Sequence, residues 1–113
     1  MAAATKLLRD VFGFDGFRLG QQEIVEAVTN GENVLAIMPT GGGKSLCFQM
    51  PALLRDGVTV VISPLIALMR DQVRALQELG VGAGALTSGN TPEETDAVWE
   101  GLEAGTLKLL YMA

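Results

Sequence analysis

The chain has a single cysteine, Cys47, so no disulfide can close within it and a reducing setting is implied. Cys47 lies just after a glycine-rich loop on an apolar stretch, which makes it a core residue rather than a reactive one. Basic residues are also scarce: eight Lys and Arg stand against thirteen Asp and Glu, for a net charge of −5. A freestanding nucleic-acid binder usually shows a basic excess, so bulk electrostatics argue against that class. Local phosphate contacts through helix N-termini and hydroxyls stay open, because they add no net charge. There is no run of about twenty apolar residues and no charged-then-apolar leader, so neither membrane insertion nor secretion is expected and the chain reads as cytoplasmic. Aromatics make up only 5%, whereas 49% of residues are hydrophobic and 14 are glycine. That balance excludes disorder and suits an α/β protein whose central strands are apolar on both sides. At 113 residues the ceiling is one small domain with a real core, too short for a two-lobed motor.

What is present centres on Met38-Pro39-Thr40-Gly41-Gly42-Gly43-Lys44-Ser45. An apolar run at 33–37 precedes it and reads as a buried strand continuing to Met38; a helix follows, opening at Lys44 and running through Leu46-Cys47-Phe48-Gln49-Met50. Strand, glycine loop and helix in that order form a phosphate-binding loop. The glycines allow positive φ and turn successive N–H groups toward one concavity, and the helix adds its positive dipole end. Thr40, Gly41, Gly42 and Gly43 would cradle the phosphates, and Lys44 would set its ammonium against the β- and γ-phosphates of ATP as the catalytic cation. The Ser45 hydroxyl would complete the shell of a Mg²⁺ held by those phosphates. Met38 stands where the strict pattern has glycine, so the motif fails by one residue.

Upstream, residues 5–11 read as a short helix with Thr5 as a possible cap and Gly13 just past its end. The stretch 12–22 mixes Phe12, Phe14 and Phe17 with glycines, Arg18 and two glutamines. Two readings stand side by side. In one the phenylalanines pack a core and the glutamines start a helix. In the other the stretch clamps adenine: Phe14 stacks on the base, Arg18 lies near it, and the Gln21 amide, donor and acceptor at once, matches adenine N7 and N6. Residues 21–29 form a docking helix stopped by Asn30-Gly31, and the helix after the loop runs toward Leu54 with Pro51 expected to bend or break it.

Residues 58–62 read as the second strand, ended by Ser63-Pro64, a capping signature for the next helix. That helix carries Leu65, Leu68, Met69, Val73, Leu76 and Leu79 along one stripe and leaves Arg70 and Arg74 more exposed, where they could meet a nucleic-acid backbone or simply water. A third strand at 81–86 leads to Thr87-Ser88-Gly89-Asn90, and Thr91-Pro92-Glu93-Glu94 opens a helix that Trp99, with Val98 and Leu102, packs down. Gly101 and Gly105 frame its end, and residues 107–112 are a fourth strand. Strands alternating with helices imply a parallel sheet whose outgoing loops share one edge. The phosphate loop, Ser63 and the hydroxyls of 87–91 would then lie together there, enough for a nucleic-acid strand as well as a nucleotide.

These pieces in this order resemble the RecQ family of superfamily 2 DNA helicases. Residues 14–21 look like its adenine-binding motif 0, 38–53 are similar to its motif I including the methionine at 38, 63–73 look like motif Ia, and Leu86-Thr87-Ser88 falls where motif Ib is expected. Leu19 replaces a common proline. The resemblance implies a P-loop, RecA-like α/β lobe, ATP and Mg²⁺ as cofactors, and 3′-to-5′ DNA unwinding in the intact protein. It also implies single-stranded DNA and a duplex junction as partners. Ser63, Pro64, Arg70, Thr87 and Ser88 become candidate DNA contacts. The family's DEAH segment, coupling motif and second lobe do not occur in residues 1–113. The whole chain then reads as the N-terminal portion of the ATP-binding lobe, incomplete and inactive alone. In the family two further strands lie between the phosphate-loop strand and the others, so residues 33–38 would lack their neighbours. The rival readings are a stand-alone nucleotide-binding module and a small P-loop kinase.

Overall fold

A computed structural model describes residues 2–39 and 43–113. It divides into two compact units, 1–56 and 57–113.

In the first unit an alanine run starts α1 (Ala2–Asp10), and Ala4 and Leu8, four apart and therefore on one face, are both fully buried. Thr5 was expected to cap this helix and instead sits inside it, because alanines are strong helix formers and carry the helix further toward the N-terminus. Gly13, at φ 76°, turns the chain out of it. Helix α2 (Gln21–Thr29) has the expected bounds, with Val25 buried and Asn30 as its C-cap. Helix α3 (Leu46–Leu54) starts two residues later than the sequence suggested and passes through Pro51 unbroken. Met50, Pro51 and Ala52 are all buried and the ladder resumes with Arg55 N–H donating to the Pro51 carbonyl at 3.0 Å, so packing holds a turn that lacks one N–H. Ala4, Leu8, Val25, Leu46 and Met50 form the core, edged by Leu7, Phe12, Phe17 and Leu54. Each fully buried large side chain here contributes about 1.5–3 kcal/mol.

The strand expected at 33–38 does not form. Those residues carry no regular structure, and Leu35 and Ile37 are 89% and 91% exposed. Apolarity says that such a segment gains from burial. A strand also needs a neighbour's free edge for its N–H and C=O groups, and the described residues of the first unit contain no other strand.

The second unit holds a parallel sheet of β1 (Thr59–Ile62), β2 (Ala83–Leu86) and β3 (Leu109–Met112), ordered β1-β3-β2. Val60, Leu110 and Gly84 stand in register across it. As the central strand, β3 buries Leu109, Leu110 and Tyr111. Helix α4 (Ile66–Glu78) buries Met69 and Leu76, and Tyr111 donates its hydroxyl proton to Gln72 Oε1 at 2.9 Å. Helix α5 (Pro92–Ala104) brings Val98 against Gly84, where an added Cβ would stand 2.8 Å from Val98 Cγ2. Val98, Leu107 and Leu110 form the core on that side.

Ser63-Pro64 do not start α4: the Ser63 hydroxyl accepts from Leu65 N–H in a separate turn, and Leu65 is the N-cap. Two other expectations fail in part for one reason: Leu65, Leu68 and Leu79 of the apolar stripe are exposed, and Trp99 is exposed while Val98 and Leu102 pack α5 down as expected. A three-stranded sheet offers less surface than the stripes of α4 and α5 could cover, so only their central residues reach it. Among the described residues no helix is long and apolar enough to cross a membrane.

Candidate functional site

In the first unit the phosphate loop is described from Gly43 onward; Thr40, Gly41 and Gly42 lie outside the described residues. Gly43 has φ 78°, a conformation glycine adopts without strain, and a Cβ there would collide with the side-chain nitrogen of Gln21. That glycine therefore leaves room for a specific neighbour. Gln21 is only 3% exposed; its Nε2 donates to the Gly43 carbonyl at 3.2 Å and its Oε1 accepts from the Arg18 N–H at 2.7 Å. The amide so ties the 12–22 stretch to the loop, a link across 22 positions that no local spacing signals.

Lys44 is exposed in the turn ahead of α3, and Ser45 caps that helix with its backbone alone, making no side-chain cap bond. The Cys47 sulfur lies 3.8 Å from both the Gly43 carbonyl oxygen and Met38 Sδ, and burial pushes its thiol up from the ordinary range. Cys47 is therefore a neutral neighbour of the loop, as its position suggested. The three phenylalanines divide between the two readings: Phe12 and Phe17 pack against the core, whereas Phe14 is 50% exposed. A groove of about 510 Å³ is lined by Arg18, Gly20, Glu23, Ile24, Leu35 and Met38 among others. The two bonds of Gln21 bring Arg18, Gln21 and Gly43 together, whereas of these three only Arg18 lines the groove, and Phe14 is outside it. The cradle fits a Mg²⁺–nucleotide: a positive-φ glycine beside an exposed lysine, followed by a hydroxyl left out of the helix cap.

In the second unit the parallel strands deliver Ser63 and Thr87 to one edge, as expected; the phosphate loop, expected at the same edge, belongs to the first unit, and no strand among the described residues leads into it. Ser63 N–H donates to the Met112 carbonyl at 2.9 Å, and its Oγ accepts from Leu65 N–H at 3.2 Å, so the hydroxyl shapes a turn ahead of α4. Pro64 is exposed in that turn. The Thr87 hydroxyl donates to Asn90 Oδ1 at 3.1 Å, while Ser88 is exposed. Asn90 in turn donates to the Ala85 carbonyl at 2.8 Å and the Thr95 hydroxyl at 3.3 Å. Thr91 N-caps α5 in a full capping box: Glu94 N–H donates to Thr91 Oγ1 and Thr91 N–H donates to Glu94 Oε1. The Thr91 backbone N–H, and after it the Thr91 hydroxyl, hold the Glu94 carboxyl below its ordinary range, with Arg70 adding a smaller pull. Arg70 faces Glu94 at 3.9 Å. The sequence marked Glu94 only as a helix cap, and its pairing with Arg70 depends on how α4 and α5 meet. Arg70, Arg74, Gln77, Asn90 and Glu94 share a groove of about 720 Å³ along β2.

The family model for the DEAD/DEAH box helicase matches residues 18–113. The chain is 51% identical over 110 residues to an ATP-dependent DNA helicase RecQ of Haemophilus influenzae, covering 97% of this chain and 18% of that protein. It is 48% identical over 110 residues to an ATP-dependent DNA helicase RecQ of Bacillus subtilis, covering 96% of this chain and 19% of that one. With the ATP-dependent DNA helicase Q1 of Rattus norvegicus identity is 46% over 108 residues, at 94% and 17%. The chain spans about a fifth of the length of these curated relatives.

Proposed function

Because the chain belongs to the DEAD/DEAH box helicase family, we propose that it is the ATP-binding segment of a RecQ-like helicase that unwinds duplex DNA 3′-to-5′ in its intact form. The observation that carries this reading is the Gln21–Gly43 bond, which ties the adenine-side stretch to the last glycine of the phosphate loop. Lys44 brings an ammonium to the β- and γ-phosphates, and the glycine-rich backbone from Thr40 to Gly43 supplies N–H donors. Ser45 gives its hydroxyl to the metal shell; bound Mg²⁺ neutralises phosphate charge. Arg18 lines the adenine side, Phe14 stacks from the exposed surface, and Gln21 orients both. A glutamine amide has two donors and two acceptor positions. With one of each engaged by Gly43 and Arg18 and the residue 3% exposed, Gln21 has to turn outward before its remaining donor and acceptor meet the base edge.

At the carboxyl edge of the second unit Ser63, Pro64, Arg70, Thr87 and Ser88 meet the backbone of single-stranded DNA near a duplex junction. Arg70 and Ser88 do so with side chains that reach the surface; Ser63 and Thr87 first have to share hydroxyls already bonded within their turns. Residues 1–113 hold no DEAH segment to orient an attacking water, so the chain by itself is not expected to hydrolyse ATP. The test is titration with a fluorescent ATP analogue. Lys44→Ala removes a charge-assisted contact and is expected to weaken binding about 10- to 100-fold. Equal affinity of the two chains overturns the reading.

A further inference from the structure

Arg70, read above as a contact for the DNA backbone, already faces an internal anion. Its Nη1 stands 3.9 Å from Glu94 Oε2, with the two side chains 40% and 49% exposed. Glu94 is not a freely swinging carboxylate: Oε1 accepts the Thr91 N–H at 3.0 Å while its own N–H donates to Thr91 Oγ1 at 3.2 Å. Its charge is therefore anchored in the first turn of α5, where the helix dipole favours an anion and where an incoming phosphate would otherwise be welcome. Arg70 in turn lies over the 87–90 turn. A Cβ on Gly89 would come within 2.9 Å of Arg70 Nη2, and that same position is 3.8 Å from the Thr87 hydroxyl. The missing side chain makes room for the guanidinium beside the very residues proposed to touch the strand.

We propose that Glu94 is an intramolecular competitor for the phosphate that Arg70 takes, so that it sets the affinity and salt dependence of strand binding at this edge. The proposal rests on the reading of this edge as a DNA-backbone contact. A half-exposed ion pair is weak, so Glu94 acts as a brake that a strand can displace. On exchange Arg70 passes from one anion to another, and because salt screens the half-exposed Arg70–Glu94 pair as well, the brake is strongest at low salt. With a neutral side chain at 94 that brake vanishes. Binding should then tighten most at low salt, so that its dependence on salt steepens.

The test is fluorescence anisotropy of a labelled oligo(dT) between low and moderate NaCl, with the 113-residue chain and four variants. Glu94→Gln keeps an acceptor at the third helical position, so the capping box survives while the charge is removed. It is expected to bind about two- to fivefold more tightly, with the steeper slope. Glu93→Gln removes the same net charge one residue earlier and is expected to give less than half of that gain. In an Arg70→Gln background the gain from Glu94→Gln should disappear. Equal gains from positions 93 and 94, or a gain that survives without Arg70, overturn the proposal. If Arg70→Gln alone weakens binding while Glu94→Gln changes nothing, the competitor fails and the DNA-contact reading stands. If Arg70→Gln binds as the unsubstituted chain does, or if no variant binds at all, the DNA-contact reading fails and takes the proposal with it.

Discussion

The two outer strands of the sheet are treated differently. Lys108 and Leu109 N–H groups donate to the Gly82 carbonyl, so by the alternation of a strand the carbonyls of Ala83 and Ala85 point away from β3. Both are taken by side-chain amides: Gln77 Nε2 donates to Ala83 at 2.9 Å and Asn90 Nδ2 to Ala85 at 2.8 Å. The β2 edge is thereby closed to further pairing. On β1, Thr59 and Ser63 donate toward β3, so the outward backbone groups belong to Val60 and Ile62. Their side chains are 53% and 69% exposed. An edge that ends a sheet is guarded by polar groups, whereas an apolar edge open to solvent is a template for another strand. The first unit repeats the second condition at 33–38, where apolar residues stand without a strand partner.

The largest effect that would sharpen this comparison falls on the strand both edges share. Tyr111→Ala empties a site that is 1% exposed and should cost about 3–5 kcal/mol in urea unfolding followed by circular dichroism. A loss below about 1 kcal/mol would mean that β3 does not organise the sheet. Next comes the guarded edge. Asn90→Ala uncovers the Ala85 carbonyl and strands the Thr87 hydroxyl; a cost of about 2 kcal/mol is expected, with new self-association in sedimentation velocity.

Thr91→Ala removes the cap of α5 and should cost about 1 kcal/mol. The same capping box carries a pH dependence. Because the Glu94 carboxyl is held below its ordinary value in the folded chain, its stabilisation is complete above that ordinary value and fades as pH falls through the lowered one. Glu94→Gln should flatten this acid limb in thermal melts taken across the carboxylate range. An unchanged limb would assign it to other groups. The smallest stability change belongs to the open edge. Val60→Lys should shift unfolding by no more than about 0.5 kcal/mol while lowering self-association. A loss of several kcal/mol would show that β1 is packed as tightly as β2, and the contrast would fail.

Much of the fold was legible where the signal is local. Helix α2 and the capping box at Thr91 were read correctly, because caps, turn glycines and helical spacing act within a few residues. All three strands of the sheet were expected, within two residues at each end. The misreadings share a cause. Residues 33–38, Leu65, Leu68 and Trp99 are apolar and were assigned to buried surfaces, yet burial needs an opposing surface supplied from elsewhere in the chain. For the candidate sites, residue types were legible and partners were not. Phe14 and Phe17 look alike in sequence and diverge in exposure, and Gln21 gave no hint that the Gly43 carbonyl would hold it.

Kinship and the α/β alternation were already set in the amino-acid order, because helix capping and hydrophobic period are local properties of the chain. Only the tertiary structure decided that Gln21 bonds across to Gly43, that Arg70 meets Glu94, and that one edge of the sheet is closed while the other stays open. Those outcomes join positions 5 to 24 residues apart, and pairing at such range is set by how helices and strands pack rather than by what any one segment prefers.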